Sequence, residues 1–274
     1  MATTSQWIRY VSLQVGSLLI TSDQLDIEFE IKGSNKSDAN TAEISVFNLA
    51  RKTRESIKPD QAVLLKAGYV GDAGNIFVGY VKLVSELRDG ENLKTKISVL
   101  TKGCVSGRQT KKYPIKTPLK TLVEAAFKDS QIPAQCTDGC QGFTLDAEYT
   151  SDPSAAADLE YCAKLINGSE KAHKTAKYYV EAAGGYFVTQ GYVRGSETVI
   201  LSSETGLIES LPEDPDDKTY TRSIRSGLCY RIGVDTHIEL KSRVSGASGT
   251  YKVVEYIHKY EGEEFETECK VQPV

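Results

Sequence analysis

The chain has 274 residues, 40% apolar and 26% charged, enough for two or three small domains with sizeable cores. A net charge of −4 argues against a global basic field for holding nucleic acid, and no apolar run reaches the roughly 18 residues that a bilayer-spanning helix needs. Tyrosine outweighs the other aromatics, 15 against 7 Phe and 1 Trp, which suits half-buried strands and contact surfaces.

Residues 1–7 carry neither a basic start nor an apolar run, so folding in a cytoplasm is expected. From Leu25 the pattern has period two: Leu25, Ile27, Phe29 and Ile31 alternate with Asp26, Glu28 and Glu30, one face inward and one in water. After a polar turn at 33–40, further strands are predicted at 44–47, 63–69, 76–84 and 93–99, with turns at 71–75 and 89–90. Five short strands with frequent turn signals predict a small antiparallel barrel or sandwich.

The middle changes character. Thr117-Pro118 reads as a cap followed by proline at the first helical position. Leu119, Leu122, Val123, Ala126 and Phe127 then form one apolar stripe. Asp152-Pro153 repeats the start signal, with Ala155, Leu159, Cys162, Ala163 and Ile166 on one side and Asn167-Gly168 as the stop. A hairpin is predicted from 178–180 to 186–188. Strand character returns at 199–201, and an acidic loop, residues 213–217, reads as solvated. Strands at 238–240, 251–257 and 265–271 close the sequence. The expected fold class is mainly β with an α+β insertion: one tube-like barrel at 1–106, the insertion at 107–197, and a second barrel at 198–274.

The two β parts can be laid over one another. Residues 57–66 sit over 232–241, aligning Asp60 with Asp235, and both stretches continue into a Gly-rich turn, a strand, a turn at Gly90 or Gly262, and a last alternating strand. The order and spacing agree, with 30 positions from Asp60 to Gly90 and 27 from Asp235 to Gly262. Three copies of such a chain would make a ring of six similar units, matching a sixfold tube to a threefold object. Dissimilar ends, or a single sheet running through both, would count against such an adaptor.

Little in the sequence points to a reaction. There are three histidines, His173, His237 and His258, and the last two alternate with apolar residues as structural histidines do. No H-E-x-x-H, G-x-S-x-G or phosphate-cradling glycine loop is present. A carboxylate pair such as Glu261 and Glu264 is nameable in any chain with 37 acidic residues, so it identifies no glycosidase. Cys136 and Cys140 form a C-x3-C pair that suits a metal, a disulfide or two loop thiols; too few ligands lie nearby for metal, and thiols are the expectation. Cys104, Cys162, Cys229 and Cys269 read as small core residues. The run Arg108, Lys111, Lys112, Lys116 and Lys120 is either a solvated linker face or a surface for an acidic protein or DNA. No catalytic, cofactor-binding or metal-ligating residue is assigned.

The residues do resemble a family. Ile44-Ser45-Val46-Phe47-Asn48-Leu49 looks like a strand ending in a V-F-N-L turn, and Ala67-Gly68-Tyr69 with Ile76-Phe77-Val78-Gly79 looks like an A-G-Y … I-F-x-G pair. Leu201-Ser202-Ser203-Glu204-Thr205-Gly206-Leu207-Ile208 is similar to an S-x-E-T-G-L-I segment, and Gly249-Thr250-Tyr251-Lys252-Val253 to a G-x-Y-x-V strand. In this order they resemble the hub proteins of phage tail baseplates, over about nine-tenths of the chain. The resemblance implies a non-enzymatic virion protein, a homotrimer under the tail tube. Its partners would be the tube, a central spike and other baseplate proteins, and DNA would pass through a channel without specific binding. The bore is expected to lack clustered Lys and Arg. A cell-wall hydrolase of the tail tip, and a secretion-system or tail-tube module, are the alternatives.

Overall fold

The computed structural model describes residues 8–34, 40–101, 106–169, 175–189, 191–212, 221–244 and 246–274. The acidic loop 213–217, Cys104, His173 and most of the turn 33–40 lie outside the described residues. In chain order the elements are β1 (Arg9–Val15), β2 (Leu18–Thr21), β3 (Ile27–Ser34), β4 (Thr41–Phe47), α1 (Arg51–Ser56), β5 (Ala62–Tyr69), β6 (Asp72–Asp89) and β7 (Asn92–Thr101). There follow β8 (Lys112–Tyr113), α2 (Leu119–Asp129), β9 (Ala134–Cys136), β10 (Tyr149–Thr150), α3 (Ala155–Asn167), β11 (Ala176–Glu181) and β12 (Gly184–Thr189). The last are β13 (Arg194–Ser202), β14 (Leu207–Pro212), β15 (Arg222–Gly227), β16 (Thr236–Lys241), β17 (Gly249–Glu261) and β18 (Glu264–Pro273).

Two compact units result. The first takes in the described parts of 1–34, 40–101 and 193–274, the second those of 35–39 and 102–192. In the first unit the strands run β14-β15-β18-β17-β3-β4-β7-β6-β5-β1-β2, with β16 bridging β13 and β17. Alternation drives it: Ile27, Phe29 and Ile31 of β3 and Thr95, Ile97, Val99 and Thr101 of β7 are buried, with less buried residues between them. Val11, Leu13, Ile31, Ile44, Leu65 and Ile97 lose essentially all contact with water, each worth about 1.5–3 kcal/mol of transfer free energy.

The two expected barrels are not seen as closed cylinders among the described residues. A single sheet runs through both halves, because β17 exchanges partners along its length. Its start pairs with β16 (His237 opposite Lys252), while Glu255 to Tyr260 pair with β3, Tyr260 opposite Phe29. The switch falls at Val254, a bulge in the β17–β18 ladder, where the extra residue bends the strand from one neighbour to the next. Among the described residues no strand pairing closes either half into a cylinder.

The halves are nevertheless alike. Strand orders β5-β6-β7-β4-β3 and β16-β17-β18-β15-β14 correspond one to one. In β6–β7, Val81 faces Val99, one bulge follows, and pairing runs to Asp89 opposite Asn92. In β17–β18, Val253 faces Val271, one bulge follows, and pairing runs to Glu261 opposite Glu264. The turn glycines Gly90 and Gly262 have φ of 60° and 56°. Asn48 N–H donates to the Leu93 carbonyl and Leu228 N–H to that of Phe265, at 2.8 and 2.9 Å, at corresponding positions. The ends flanking these five strands differ: β1 is antiparallel to β5, whereas β13 is parallel to β16.

In the second unit α2 and α3 form a core with Phe187 of β12, which pairs with β11 and, in parallel, with β9. Phe127 of α2 is fully buried against Gly185, where a Cβ would stand 2.4 Å from the ring. Both helix starts differ from expectation. Pro118 is the cap itself, and Thr117 turns back to donate its hydroxyl to the Pro114 carbonyl. Ser154 caps α3, while the Asp152 carboxylate accepts the Ser154 N–H at 2.7 Å in a local turn.

Candidate functional site

Among the described residues, the two histidines and the Glu261–Glu264 pair singled out from the sequence make the following contacts. His258 is fully buried on β17, its Nδ1 2.8 Å from Thr267 Oγ1 and its Nε2 3.1 Å from the Ile232 carbonyl. Burial pushes its pKa down to about 4, with Arg194 adding to the fall, so the ring is neutral and out of reach of substrate. His237 sits on β16, half-buried, opposite Lys252.

Glu261 and Glu264 flank the β17–β18 turn. They share Lys259, at 2.9 and 2.7 Å, on the exposed hairpin tip rather than across a cleft. The hydrogen bond from Lys259 holds the Glu261 carboxyl below its ordinary range, opposite to what a general acid needs. Asp72 is likewise held low by Arg231, which binds it through two nitrogens at 2.9 and 2.5 Å. That pair lies in a groove of about 700 Å³ lined by Tyr69, Arg194, Thr205 and Cys229 among others.

Cys136 lies on β9. Cys140 follows in a short 3-10 turn, its Sγ 3.0 Å from the Thr137 carbonyl. Both are free thiols, and burial raises both pKa values, that of Cys140 to about 12. Cys162 and Cys269 are buried in the cores and Cys229 is partly so. Among the described residues no three His, Cys, Asp or Glu side chains gather as a metal site would require.

The basic run is not one surface. Arg108 is buried and ion-paired with Asp158, and with Asp129 at 3.0 Å. Asp158 also accepts from Tyr149 at 2.7 Å and from the Asp152 N–H at 2.8 Å. The Arg108 side chain is thus largely withdrawn from solvent in the second unit, contrary to the expectation of a solvated linker. Lys111 and Lys120 pair with Asp129 and Glu124, and Lys112 and Lys116 are exposed.

What stands out instead are strand edges. The β17–β3 seam covers one pair of edges with six opposed residue pairs, Glu255–Ser34 through Tyr260–Phe29. Gly33 lies opposite Tyr256 there, and the ring packs on the bare glycine, where a Cβ would meet it at 2.3 Å. Further edges have no strand beside them among the described residues, among them the later half of β6 and the outer side of β14. Leu83 and Leu87 on the first, and Ile208 and Leu211 on the second, are among the large exposed apolar side chains.

No protein-family profile matches the chain, and no curated protein sequence matches it. Solved structures do. A 43 kDa tail protein of prophage MuSo2 from Shewanella oneidensis superposes with a TM-score of 0.66 at 10% identity, over 97% of both chains. A tail protein from Neisseria meningitidis MC58 gives 0.64 at 10% identity, over 97% of this chain and 96% of its own. The E. coli c3393 protein is a type VI secretion component similar to the T4 tail proteins gp27 and gp5. It gives 0.59 at 9% identity, over 96% of this chain and 76% of its own. At such identities the likeness shows the fold, which this chain shares over nearly its whole length.

Proposed function

We propose that the chain is a structural hub of a phage or phage-like tail, without enzymatic activity. Three copies form a pseudo-sixfold ring that joins the tail tube to a central spike and to surrounding baseplate proteins, leaving a channel for DNA. The observation that carries this reading is the internal repeat within a tail-protein fold. Two five-strand units per chain, alike in order, bulge and turn, are what a threefold ring needs to present six similar faces. The continuous sheet argues against two independent cylinders. It counts against the adaptor as first expected, and what supports the adaptor in its place is the likeness of the two halves in strand order, bulge and turn.

In this reading the chain has three parts, a first tube-like half, an α+β insertion and a second tube-like half. The halves curl into barrels when neighbouring copies complete their edges, and the bore lacks clustered Lys and Arg, so that a passing polyanion does not stick. The protein is assembled in the host cytoplasm and resides in the virion tail. A secretion-system hub is the second reading, favoured by the likeness to the type VI component. Sedimentation of the purified chain, with and without its tail partners, tests the ring. A trimer is expected, and a monomer at high concentration with all partners present would sink it.

A further inference from the structure

The repeat relates two of the uncovered edges, those of β6 and β14, to each other. Because Val81 corresponds to Val253, the later half of β6 is the counterpart of the later half of β17. Because Ala42 faces Val99 as Arg222 faces Val271, β4 is the counterpart of β15. Glu28, opposite Ser45, then matches Glu209, opposite Arg225, and β3 is the counterpart of β14. The seam inside the chain joins the β17-type strand of one repeat to the β3-type strand of the other. The strands left over are therefore one of each type.

They do not meet within a chain, since β14 ends the strand order and β6 lies seven places away. We infer that the later half of β6 in one copy pairs antiparallel with β14 of the next, repeating between chains the seam that β17 and β3 make within one. Transferring the register sets Glu86 opposite Pro212, Leu87 opposite Leu211 and Arg88 opposite Ser210. These correspond to His258–Ile31, Lys259–Glu30 and Tyr260–Phe29. The ring reading enters only through the number of copies; the pairing itself follows from the repeat.

Three observations choose a second copy as the occupant. The intrachain seam is a worked example of the same strand types in contact. The contact is head to tail, so it propagates and closes into a ring when the rotation allows. And the transferred register sets two exposed leucines against each other, Leu87 at 53% and Leu211 at 51% of full exposure, where the intrachain seam sets Lys259 against Glu30. Bare edges carrying apolar side chains invite pairing, and proteins blunt or cover them when no partner is intended. Pro212 has no N–H, which limits the ladder at that end to the bonds its partner supplies.

The test uses the full chain. L87K alone and L211E alone each place a charge against leucine and should raise the concentration for half-assembly by about tenfold. The double variant L87K/L211E recreates the Lys–Glu pair of the intrachain seam and should restore assembly to within about twofold of the parent. Mixing L87C chains with L211C chains under mild oxidation should give a disulfide-linked product that neither gives alone. A trimer that ignores both single changes and forms no cross-link would overturn this register while leaving the hub reading intact. Cross-linking and rescue in a ring of another size would uphold the pairing and remove the threefold hub. A chain that stays monomeric throughout would overturn both.

Discussion

Asp60 and Asp235 hold the same backbone position in two repeats. Both are left-handed, with φ of 67° and 58°, and the N–H of each donates at 2.9 Å to the carbonyl of a valine, Val81 and Val253 respectively. Asp is one of the few residues that tolerate this conformation. Each lies just ahead of the strand, β5 or β16, that begins the hairpin pair. The shared conformation marks a turn that both repeats need, while the surroundings differ: Asp60 is exposed, Asp235 fully buried beside Lys252 at 3.7 Å.

That difference sets a pair of expectations. Replacing Asp60 with Gly should change stability by no more than about 0.5 kcal/mol, whereas D60V should cost about 1–3 kcal/mol through backbone strain alone. D235V adds a buried, abandoned Lys252 to the same strain and should cost at least about 3–5 kcal/mol. Urea denaturation of the three variants decides. Equal costs for D60V and D235V would mean that the buried ion pair adds nothing.

Arg108 gives a second contrast. R108A strips Asp158 of a buried partner and should destabilise the second unit by about 3–5 kcal/mol. K120A removes an exposed pair four residues apart on α2, worth about 0.3–0.5 kcal/mol. Hydrogen exchange in α3 is the readout, and a protected α3 in R108A would refute a structural role for the cluster.

The pH dependence follows from His258. Its folded pKa, about 4, lies below the ordinary imidazole value of 6.5. Between those values the unfolded chain binds a proton that the folded one refuses, so stability rises with pH. The contribution is complete above pH 6.5 and fades as pH falls toward 4, amounting to about 3 kcal/mol in all. H258Q removes this dependence. The loss in denaturation midpoint between pH 7 and 4.5 should therefore be smaller in H258Q than in the parent, and identical losses would show that His258 does not titrate this way.

Much of this was legible from one dimension. The alternation of β3, β5, β7, β16 and β18, and the apolar stripes of α2 and α3, appear in sequence because burial there follows a local period. β1 escaped although Val11, Leu13 and Val15 alternate; period two applied from residue 9 would have found it. β14 and β15 had no such signal. Most of β14 is exposed, and Ile224 is the one large apolar residue of β15. The partner exchange of β17 and the Arg108 cluster depend on residues from 21 to more than 200 positions apart, which no local pattern encodes. For the same reason the joining of the two halves into one sheet was not legible, while the repeat beneath it was.

The seam itself offers a last test, on Gly33 and Tyr256. With no side chain at Gly33, the Tyr256 ring lies across the β3 backbone; a methyl group there would stand 2.3 Å from a ring carbon, well inside contact distance. G33A should therefore cost about 1–3 kcal/mol by overpacking. The damage should concentrate where the halves join. Amides of residues 29–34 and 255–260 should exchange faster, while those of the β6–β7 hairpin keep their protection, since they belong to a ladder the substitution does not touch. Adding Y256A creates room for the methyl group, so the double variant should lose less than the sum of the two single losses, by about 0.5 kcal/mol or more. Strict additivity, with exchange spread evenly over the sheet, would mean that the glycine and the ring do not hold the seam together.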